Sequence, residues 1–285
     1  MEFDLELSSG RVHAQRWGEE NRPPVLCVHG LTANLTAFSW LAEGLVRQGH
    51  QVVAMDCRGR GRSQVTDPGT YGLTGHARDV MEIAARLEWE RMAYVGWSMG
   101  ALIGMVTAQA APKLVHRLVL LDHAGPMDPD AVALVRTSLE RLDAVVAEPD
   151  EYIQAIRARG VIDPWTPFWT AHYMYELGQV KGGSWSATTS RAACEEDLDG
   201  ILSDYDELWR ALRMPTTLVR AAAPIAGVRL VSDSARDAIA QAVPGLTTAE
   251  VPTNHYTVLT DPLMLAAVTS ALAPYVRCAP DRAPS

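Results

Sequence analysis

Residues 94–101 read Tyr-Val-Gly-Trp-Ser-Met-Gly-Ala, and this stretch decides the fold. Residues 91–95, which lead into it, are partly β-branched and aromatic, as is typical of a short buried strand. The residues after Ser98 are helix formers and small residues, which predict a helix. Gly96 and Gly100 flank Ser98 two positions to either side, and a reversal this tight leaves no room for β-carbons there. The sequence therefore predicts a strained strand–turn–helix junction that exposes the Ser98 side chain.

The Gly-x-Ser-x-Gly pattern makes Ser98 a candidate nucleophile. A helix that begins directly after the serine points its first N–H groups at the place where an oxyanion would form. The same pattern also occurs by chance in glycine-rich turns, but here a predicted strand precedes it and a predicted helix follows. We therefore interpret this turn as catalytic.

Length and composition describe an ordinary globular protein. The 285 residues are 48% hydrophobic and 21% charged, and they fit one large domain or a core with an insertion. The net charge of −9 argues against nucleic acid as a partner. No apolar run reaches the ~18 residues of a membrane span, and the acidic, alternating N-terminus does not resemble a signal peptide. We expect a cytoplasmic protein with no membrane partner, and its oligomeric state is left open.

The four cysteines give no sign of a metal site. Cys27, Cys57, Cys194 and Cys278 lack the spacing of metal ligands, and Cys27 lies in a predicted core strand. We expect free thiols, in keeping with a cytoplasmic location.

Predicted strands alternate with predicted helices along most of the chain, after an antiparallel hairpin at residues 3–7 and 11–17. Such alternation gives a parallel sheet that binds ligands beyond the carboxyl ends of its strands. Over residues 126–211 the alternation stops, and helical patterns occur there without a clear strand. We therefore predict an α/β fold with a mostly parallel, doubly wound sheet, in which residues 1–125 and 212–285 form the core and residues 126–211 a helical cap.

The predicted cap carries nine aromatic residues, which indicate a broad apolar pocket. Some of them must form the cap's own core, but we expect Trp165 and Trp169 to bind substrate. Trp97, beside the candidate nucleophile, either faces the reacting group or packs beneath the turn. Tyr256, next to His255 in a loop, is a further candidate for substrate binding.

Residues 56–63, Asp-Cys-Arg-Gly-Arg-Gly-Arg-Ser, form a glycine-rich cationic stretch after a predicted strand. Phosphate-binding loops have such compositions, but this one lacks their glycine spacing and has no helix immediately behind it. We predict a structural turn.

Four motifs follow one another along the chain: His29-Gly30, the stretch 56–63, the turn around Ser98 and a late His255. Together they resemble the α/β-hydrolase superfamily, and the resemblance covers nearly the whole chain outside the cap. In that family the nucleophile comes first in the chain, the histidine last and the acid between them.

The resemblance implies a role for several further positions. His255 follows the last predicted strand, where the family places its general base, and no other of the eight histidines lies there. An oxyanion hole needs two preorganised N–H donors, which by position are the backbone amides of Leu31 and Met99. His29 is expected to shape its loop.

The triad acid departs from the commonest family pattern. Most members carry it in the loop after the strand at residues 216–220, but residues 221–230 hold no carboxylate here. Asp233 comes next and directly precedes a predicted helix, so an N-cap is its better explanation. A subset of the family, including the zearalenone lactonases and one type of haloalkane dehalogenase, has the acid one strand earlier, at the position of Asp122. We expect Asp122 to be the acid; the alternatives are Asp233, another residue, or a dyad lacking an acid.

The resemblance implies acyl transfer at a serine. Because the nucleophile is not an aspartate, we do not expect the alkyl-enzyme chemistry of dehalogenases and epoxide hydrolases. We expect a serine hydrolase of carboxylesterase or lactonase type that cleaves a small apolar ester or lactone and needs no metal or organic cofactor. The alternatives are an acyltransferase, cyclase or thioesterase that uses the same acyl-enzyme, and a hydrolase-fold protein that binds a small ligand and turns it over slowly.

Overall fold

A computed structural model describes residues 1–201 and 205–273. An eight-stranded sheet forms its centre. The strands of this sheet are β1 (Glu2–Leu7), β2 (Gly10–Trp17), β3 (Pro24–Val28), β4 (Gln51–Met55), β5 (Met92–Trp97), β6 (Val115–Leu121), β10 (Thr216–Ala221) and β11 (Thr247–Val251).

The sheet order is β1-β2-β4-β3-β5-β6-β10-β11. The β1–β2 and β2–β4 pairs are antiparallel, and the remaining pairs are parallel. The predicted hairpin and the predicted, mostly parallel sheet are thus confirmed. Because β3, β4, β5, β6, β10 and β11 run the same way, their carboxyl ends meet at one edge of the sheet.

Helices cover both faces of the sheet. The helices outside the predicted cap are α1 (Ser39–Arg47), α2 (Leu73–Arg86), α3 (Met99–Ala110), α9 (Asp233–Ala242) and α10 (Pro262–Leu272). Along β3, Val25 and Cys27 belong to the apolar cluster on one face, whereas Leu26 and Val28 belong to the cluster on the other. This explains why the strand reads as a continuous apolar run: both of its faces are buried.

Between β6 and β10 the chain is mainly helical, but it also contains a small antiparallel sheet. The helices are α4 (Pro129–Ser138), α5 (Pro149–Ala158), α6 (Pro167–Tyr175), α7 (Arg191–Ile201) and α8 (Asp206–Ala211), and the strands are β7 (Val145–Val146), β8 (Leu177–Gln179) and β9 (Trp185–Ala187). Short 3-10 helices cover Leu35–Phe38, Glu140–Asp143 and Thr257–Thr260.

The expectation of a cap without strands is wrong. Strands of two or three residues are too short to show an alternating hydrophobic pattern, so no sequence pattern indicates them. The division into a core of residues 1–125 and 212–285 and a cap of residues 126–211 stays a prediction. Cys278 lies outside the described residues, whereas Cys27, Cys57 and Cys194 are buried free thiols.

Candidate active site

The turn between β5 and α3 holds Ser98 in a strained conformation, with φ +57° and ψ −121°. Its two glycines are required by sterics. A β-carbon on Gly100 would lie 1.9 Å from the Val28 carbonyl oxygen, and one on Gly96 would lie 2.2 Å from the Gly100 carbonyl oxygen. The Ser98 side chain is partly exposed and lines a cavity at the carboxyl edge of the sheet. This is the junction that the sequence predicts.

Asp122 and His255 are joined by a hydrogen bond across the same edge. The two atoms, Asp122 Oδ2 and His255 Nδ1, are 2.8 Å apart. Asp122 is buried and also has a positive φ, +49°, so its carboxylate is held in a special backbone position directly after β6. Its other oxygen, Oδ1, accepts a hydrogen bond from the Ala221 N–H at 2.9 Å. The carboxylate is therefore fixed by the neighbouring strand β10 and points one oxygen at the imidazole.

The His255 loop is held by contacts to three parts of the molecule. The Trp97 indole Nε1–H donates to the His255 carbonyl oxygen at 3.0 Å, and the two rings lie 5.1 Å apart. Asn254 Oδ1 accepts from the backbone N–H groups of Tyr256 and Thr257, and its Nδ2 donates to the Val161 carbonyl at 2.7 Å. With Nδ1–H directed at Asp122, the Nε2 atom of the ring is the one left to accept a proton.

His255 and Ser98 line the same cavity. Among the described residues, no direct hydrogen bond joins the Ser98 hydroxyl to the imidazole. In unliganded enzymes such catalytic hydrogen bonds are often long and tighten when substrate binds. The predicted nucleophile and the predicted base thus line one cavity, and the predicted acid is connected to it by the hydrogen bond to His255.

Asp233 lies away from this cluster. Its side chain is 63% exposed and forms an ion pair with Arg220 at 2.7 Å. The hydrogen bond from Arg220 lowers the pKa of Asp233 below its usual value. The expectation that Asp233 is an N-cap is wrong by one residue: Ser232 is the N-cap of α9, and its hydroxyl accepts from the Ala235 N–H.

The loop of Leu31 forms the opposite wall of the cavity. Gly30 approaches Ser98 so closely that a β-carbon on it would lie 3.0 Å from the Ser98 Cβ. His29 is fully buried; its Nδ1–H donates to the Gly30 carbonyl at 2.7 Å and its Nε2 accepts from the Cys57 N–H at 3.0 Å. Burial lowers the pKa of His29 to about 3, so the ring is neutral and serves to shape the loop.

The two amides proposed for the oxyanion hole have no acceptor among the residues that the structure describes. Met99 is the first residue of α3, so its N–H has no partner within the helix. Within the described part of the chain, neither the Met99 nor the Leu31 N–H donates a hydrogen bond.

A buried ion pair between Arg60 and Asp197, which the sequence did not indicate, supports the Leu31 loop. Arg60 Nε donates to the Leu31 carbonyl at 3.0 Å, and Arg60 Nη2 lies 2.6 Å from Asp197 Oδ2 on α7. Cys194, one turn earlier on α7, donates its thiol to the same Leu31 carbonyl at 3.3 Å. Arg58 and Arg60 of the cationic stretch 56–63 are thus buried, whereas Arg62 is exposed and pairs with Glu2. The stretch is a structural element, which agrees with the sequence-based prediction.

The cavity beside Ser98 has a volume of about 50 Å³. Its walls come from the Leu31 loop, the Ser98 turn, helix α4, the loop after β10 and the His255 loop. The wall residues are Gly30, Leu31, Thr32, Ala33, Trp97, Ser98, Leu134, Val135, Ser138, Ile225, Leu230, His255 and Tyr256. Trp97 and Tyr256, two of the candidates for substrate binding, both line this cavity together with Ser98 and His255.

Trp165 and Trp169 do not line this cavity. Trp165 stacks on Tyr173 with ring centroids 5.8 Å apart, and Trp169 is 1% exposed and packs edge-on against Phe168. Trp169 lies in the interior of the segment between β6 and β10, and Trp165 is partly buried there. The expectation that Trp165 and Trp169 bind substrate therefore has no support from the walls of the two cavities nearest Ser98.

No helix in residues 1–201 and 205–273 is long and apolar enough to cross a membrane.

A family model described as the alpha/beta hydrolase fold matches residues 23–262. The chain belongs to the α/β-hydrolase family. The match includes the Leu31 loop, the Ser98 turn, Asp122 and His255.

Relatives of this α/β hydrolase carry hydrolase names. The human serine hydrolase-like protein is 35% identical over 122 residues, which are 42% of this chain and 60% of that protein. The 3-hydroxybutyrate-oligomer hydrolase of Cupriavidus necator is 36% identical over 141 residues, 49% of this chain and 45% of that protein. The chain thus matches about half of the length of these relatives. The crystal structure of E-2-(acetamidomethylene)succinate hydrolase superimposes with a TM-score of 0.83 at 21% identity, covering 95% of this chain and 98% of that one.

Proposed function

We propose that this α/β hydrolase cleaves an ester or lactone through an acyl-enzyme on Ser98. The observation that carries the proposal is the 2.8 Å hydrogen bond from His255 to Asp122, made by an imidazole that shares a cavity with Ser98. A serine held at a strained turn beside an oriented imidazole is the arrangement that acyl transfer requires.

In the first half of the reaction, Ser98 Oγ attacks the carbonyl carbon while His255 Nε2 takes the hydroxyl proton. The negative charge that develops on the carbonyl oxygen is stabilised by the amides of Leu31 and Met99. The tetrahedral intermediate collapses, the bond to the leaving oxygen breaks, and His255 returns the proton to that oxygen.

In the second half, water attacks the acyl-enzyme and His255 takes a proton from it. Collapse of the second intermediate releases the carboxylic acid and restores the Ser98 hydroxyl. Asp122 stays ionised throughout; it fixes the imidazole tautomer and stabilises the imidazolium that forms in each half.

The names of the relatives support hydrolysis as the reaction class, and the apolar surroundings of Ser98, including Trp97 and Leu134, favour an apolar group next to the scissile bond. The scissile bond type and the substrate are our proposals.

A panel of esters and lactones, analysed by mass spectrometry of the products in ¹⁸O-labelled water, tests the proposal. Wild type should release acids that carry one ¹⁸O atom, and Ser98→Ala should lower turnover by at least about 10³-fold, since loss of the nucleophile removes the acyl-enzyme route. Equal turnover by Ser98→Ala would contradict the proposal. Transfer of the acyl group to an added alcohol or thiol in place of water would identify an acyltransferase.

A further inference from the structure

A second cavity adjoins the one beside Ser98. The two share four wall residues, Leu134, Ser138, Ile225 and Tyr256. The second cavity has a volume of about 140 Å³. An engineered protein cavity of about 150 Å³ is large enough to bind benzene. A substrate that reaches from Ser98 past these four residues therefore has room for a short chain and a terminal group.

The second cavity is positively charged. Arg141 and Arg159 are among its wall residues, and none of its wall residues is an aspartate or glutamate. Arg141 is paired, because its Nη2 lies 2.9 Å from Glu176 Oε2. Within residues 1–201 and 205–273, the Arg159 side chain forms no ion pair or hydrogen bond. Arg159 is exposed to solvent at the rim of the cavity, and no other described residue neutralises its charge.

Two tyrosine hydroxyls add hydrogen-bond donors to this charge. Tyr173 and Tyr256 both line the second cavity, and neither hydroxyl forms a hydrogen bond with another described residue. Burial raises the pKa of each tyrosine, so both hydroxyls keep their protons. Arg141 Nε is also buried without an acceptor among the described residues.

This set of donors discriminates between ligands. A purely hydrocarbon chain in the cavity would separate the donors from water and offer them no acceptor, at a cost in free energy. A carboxylate offers two oxygens to an arginine and to hydroxyl donors, and hydrogen bonds to a charged group are the stronger ones. The aliphatic wall residues Ile156, Val161 and Ile162 suit the carbon chain that leads to such a group.

We propose that the substrate carries a carboxylate remote from its scissile ester, and that this carboxylate binds in the second cavity at Arg159, with Arg141 and the hydroxyls of Tyr173 and Tyr256 around it. The inference rests on the proposed function only in placing the ester carbonyl at Ser98. It adds the substrate class: half-esters of dicarboxylic acids, or lactones that bear a carboxylate.

Matched substrates test the proposal. Monoethyl esters of succinic, glutaric, adipic and pimelic acid place the carboxylate at increasing distance from the ester, and the corresponding ethyl methyl diesters are neutral controls. At least one half-ester should have a kcat/KM about tenfold above that of its neutral diester, mainly through a lower KM, because the carboxylate contacts are made in the ground state and the transition state alike.

Arg159→Gln should lower this half-ester preference about tenfold, which is the size expected for loss of one charge-assisted hydrogen bond. Arg157→Gln is the matched control: Arg157 lies in the last turn of helix α5, two residues before Arg159, which is the C-cap of that helix. Arg157 is exposed, as Arg159 is, but lines neither cavity, so the preference should stay as in wild type. An unchanged preference in Arg159→Gln, or an equal loss in both variants, would overturn the proposal.

A binding measurement separates this inference from the proposed reaction. Calorimetric titration of the Ser98→Ala variant with monoethyl adipate and ethyl methyl adipate requires no turnover. Tighter binding of the half-ester, weakened about tenfold by an added Arg159→Gln substitution, would support the carboxylate site even if wild type hydrolysed no ester. Binding that does not depend on the carboxylate or on Arg159 would overturn the site even if the ester chemistry at Ser98 held.

Discussion

Asp122 Oδ2 lies 2.8 Å from His255 Nδ1, although 133 residues separate the two in the chain. The order of the strands in the sheet brings the two residues together. Asp122 directly follows β6 and His255 comes shortly after β11, and β10 joins these two strands in parallel. The parallel register brings their carboxyl ends to one edge, so the acid and the imidazole meet although one precedes and the other follows the segment of residues 126–211.

Asp122→Asn is expected to lower kcat by several orders of magnitude. Asparagine keeps the size of the side chain but removes the charge and favours the wrong imidazole tautomer; the same change in a serine protease costs on the order of 10⁴ in kcat. Steady-state kinetics on the best ester, with circular dichroism to verify folding, measures the effect.

Asp233→Asn is the control for this prediction. Asp233 is an exposed ion-pair partner of Arg220, and we expect its variant to stay within about tenfold of wild type, because exposed ion pairs contribute little. A larger loss in Asp233→Asn than in Asp122→Asn would move the acid to Asp233. Small effects in both would indicate a dyad of Ser98 and His255.

The sequence predicted the parts of the site that depend on local pattern. The spacing of Gly96, Ser98 and Gly100 is a local pattern, although the contact that requires Gly100 is with the Val28 carbonyl on β3. The expectation for Asp122 comes from the resemblance to hydrolases that carry the acid one strand earlier, together with the lack of a carboxylate in residues 221–230. Whether Trp165 and Trp169 face a ligand or the protein interior could not be predicted from local pattern. An aromatic residue in an irregular helical segment reads the same whether it faces a ligand or the interior, and only the tertiary packing decides between them.

The buried Arg60–Asp197 ion pair is a second feature that could not be predicted from the sequence. The two residues are far apart in the chain, and a charged residue on a helix usually lies on its solvated face. No sequence pattern distinguishes Asp197, which is fully buried, from Glu195, whose side chain on the same helix is 53% exposed.

Asp197→Ala is expected to destabilise the protein by about 3–5 kcal/mol, because it leaves the buried Arg60 guanidinium without its counter-ion. It also removes the hydrogen bond from His76 to Asp197, formed at 2.9 Å. Urea unfolding followed by circular dichroism gives the change in free energy. Glu195→Ala, on the same helix, breaks only the exposed pair with Arg191 and should cost less than about 1 kcal/mol. Equal losses in the two variants would show that Arg60 does not depend on Asp197.

The free energy of unfolding should decrease as the pH falls from 7 to 5. Burial lowers the pKa of His29, His123 and His172 to about 3, against about 6.5 for a free histidine. Between these values the folded state binds fewer protons than the unfolded state, so the stabilisation is present above pH 6.5 and is lost on acidification. The expected loss is about 2 kcal/mol per histidine between pH 7 and pH 5.

Asp56 opposes this trend. Burial raises its pKa to about 6, so the folded state gains a proton before the unfolded state does and is stabilised by about 1 kcal/mol over the same interval. A net loss of about 4–5 kcal/mol from these four groups therefore remains. Urea unfolding at pH 7, 6 and 5 measures it; constant or rising stability would show that these histidines accept protons in the folded state.

The central claim is that Ser98 is the activated nucleophile, and intact-protein mass spectrometry after treatment with a fluorophosphonate tests it most directly. Attack of Ser98 Oγ on phosphorus displaces fluoride and leaves one stable adduct. We expect wild type to gain a single phosphonyl mass that peptide mapping assigns to Ser98, Asp122→Asn to react much more slowly, and Ser98→Ala to remain unmodified. A wild-type protein that stays unlabelled, or an alanine variant that is labelled at the wild-type rate, would contradict the account.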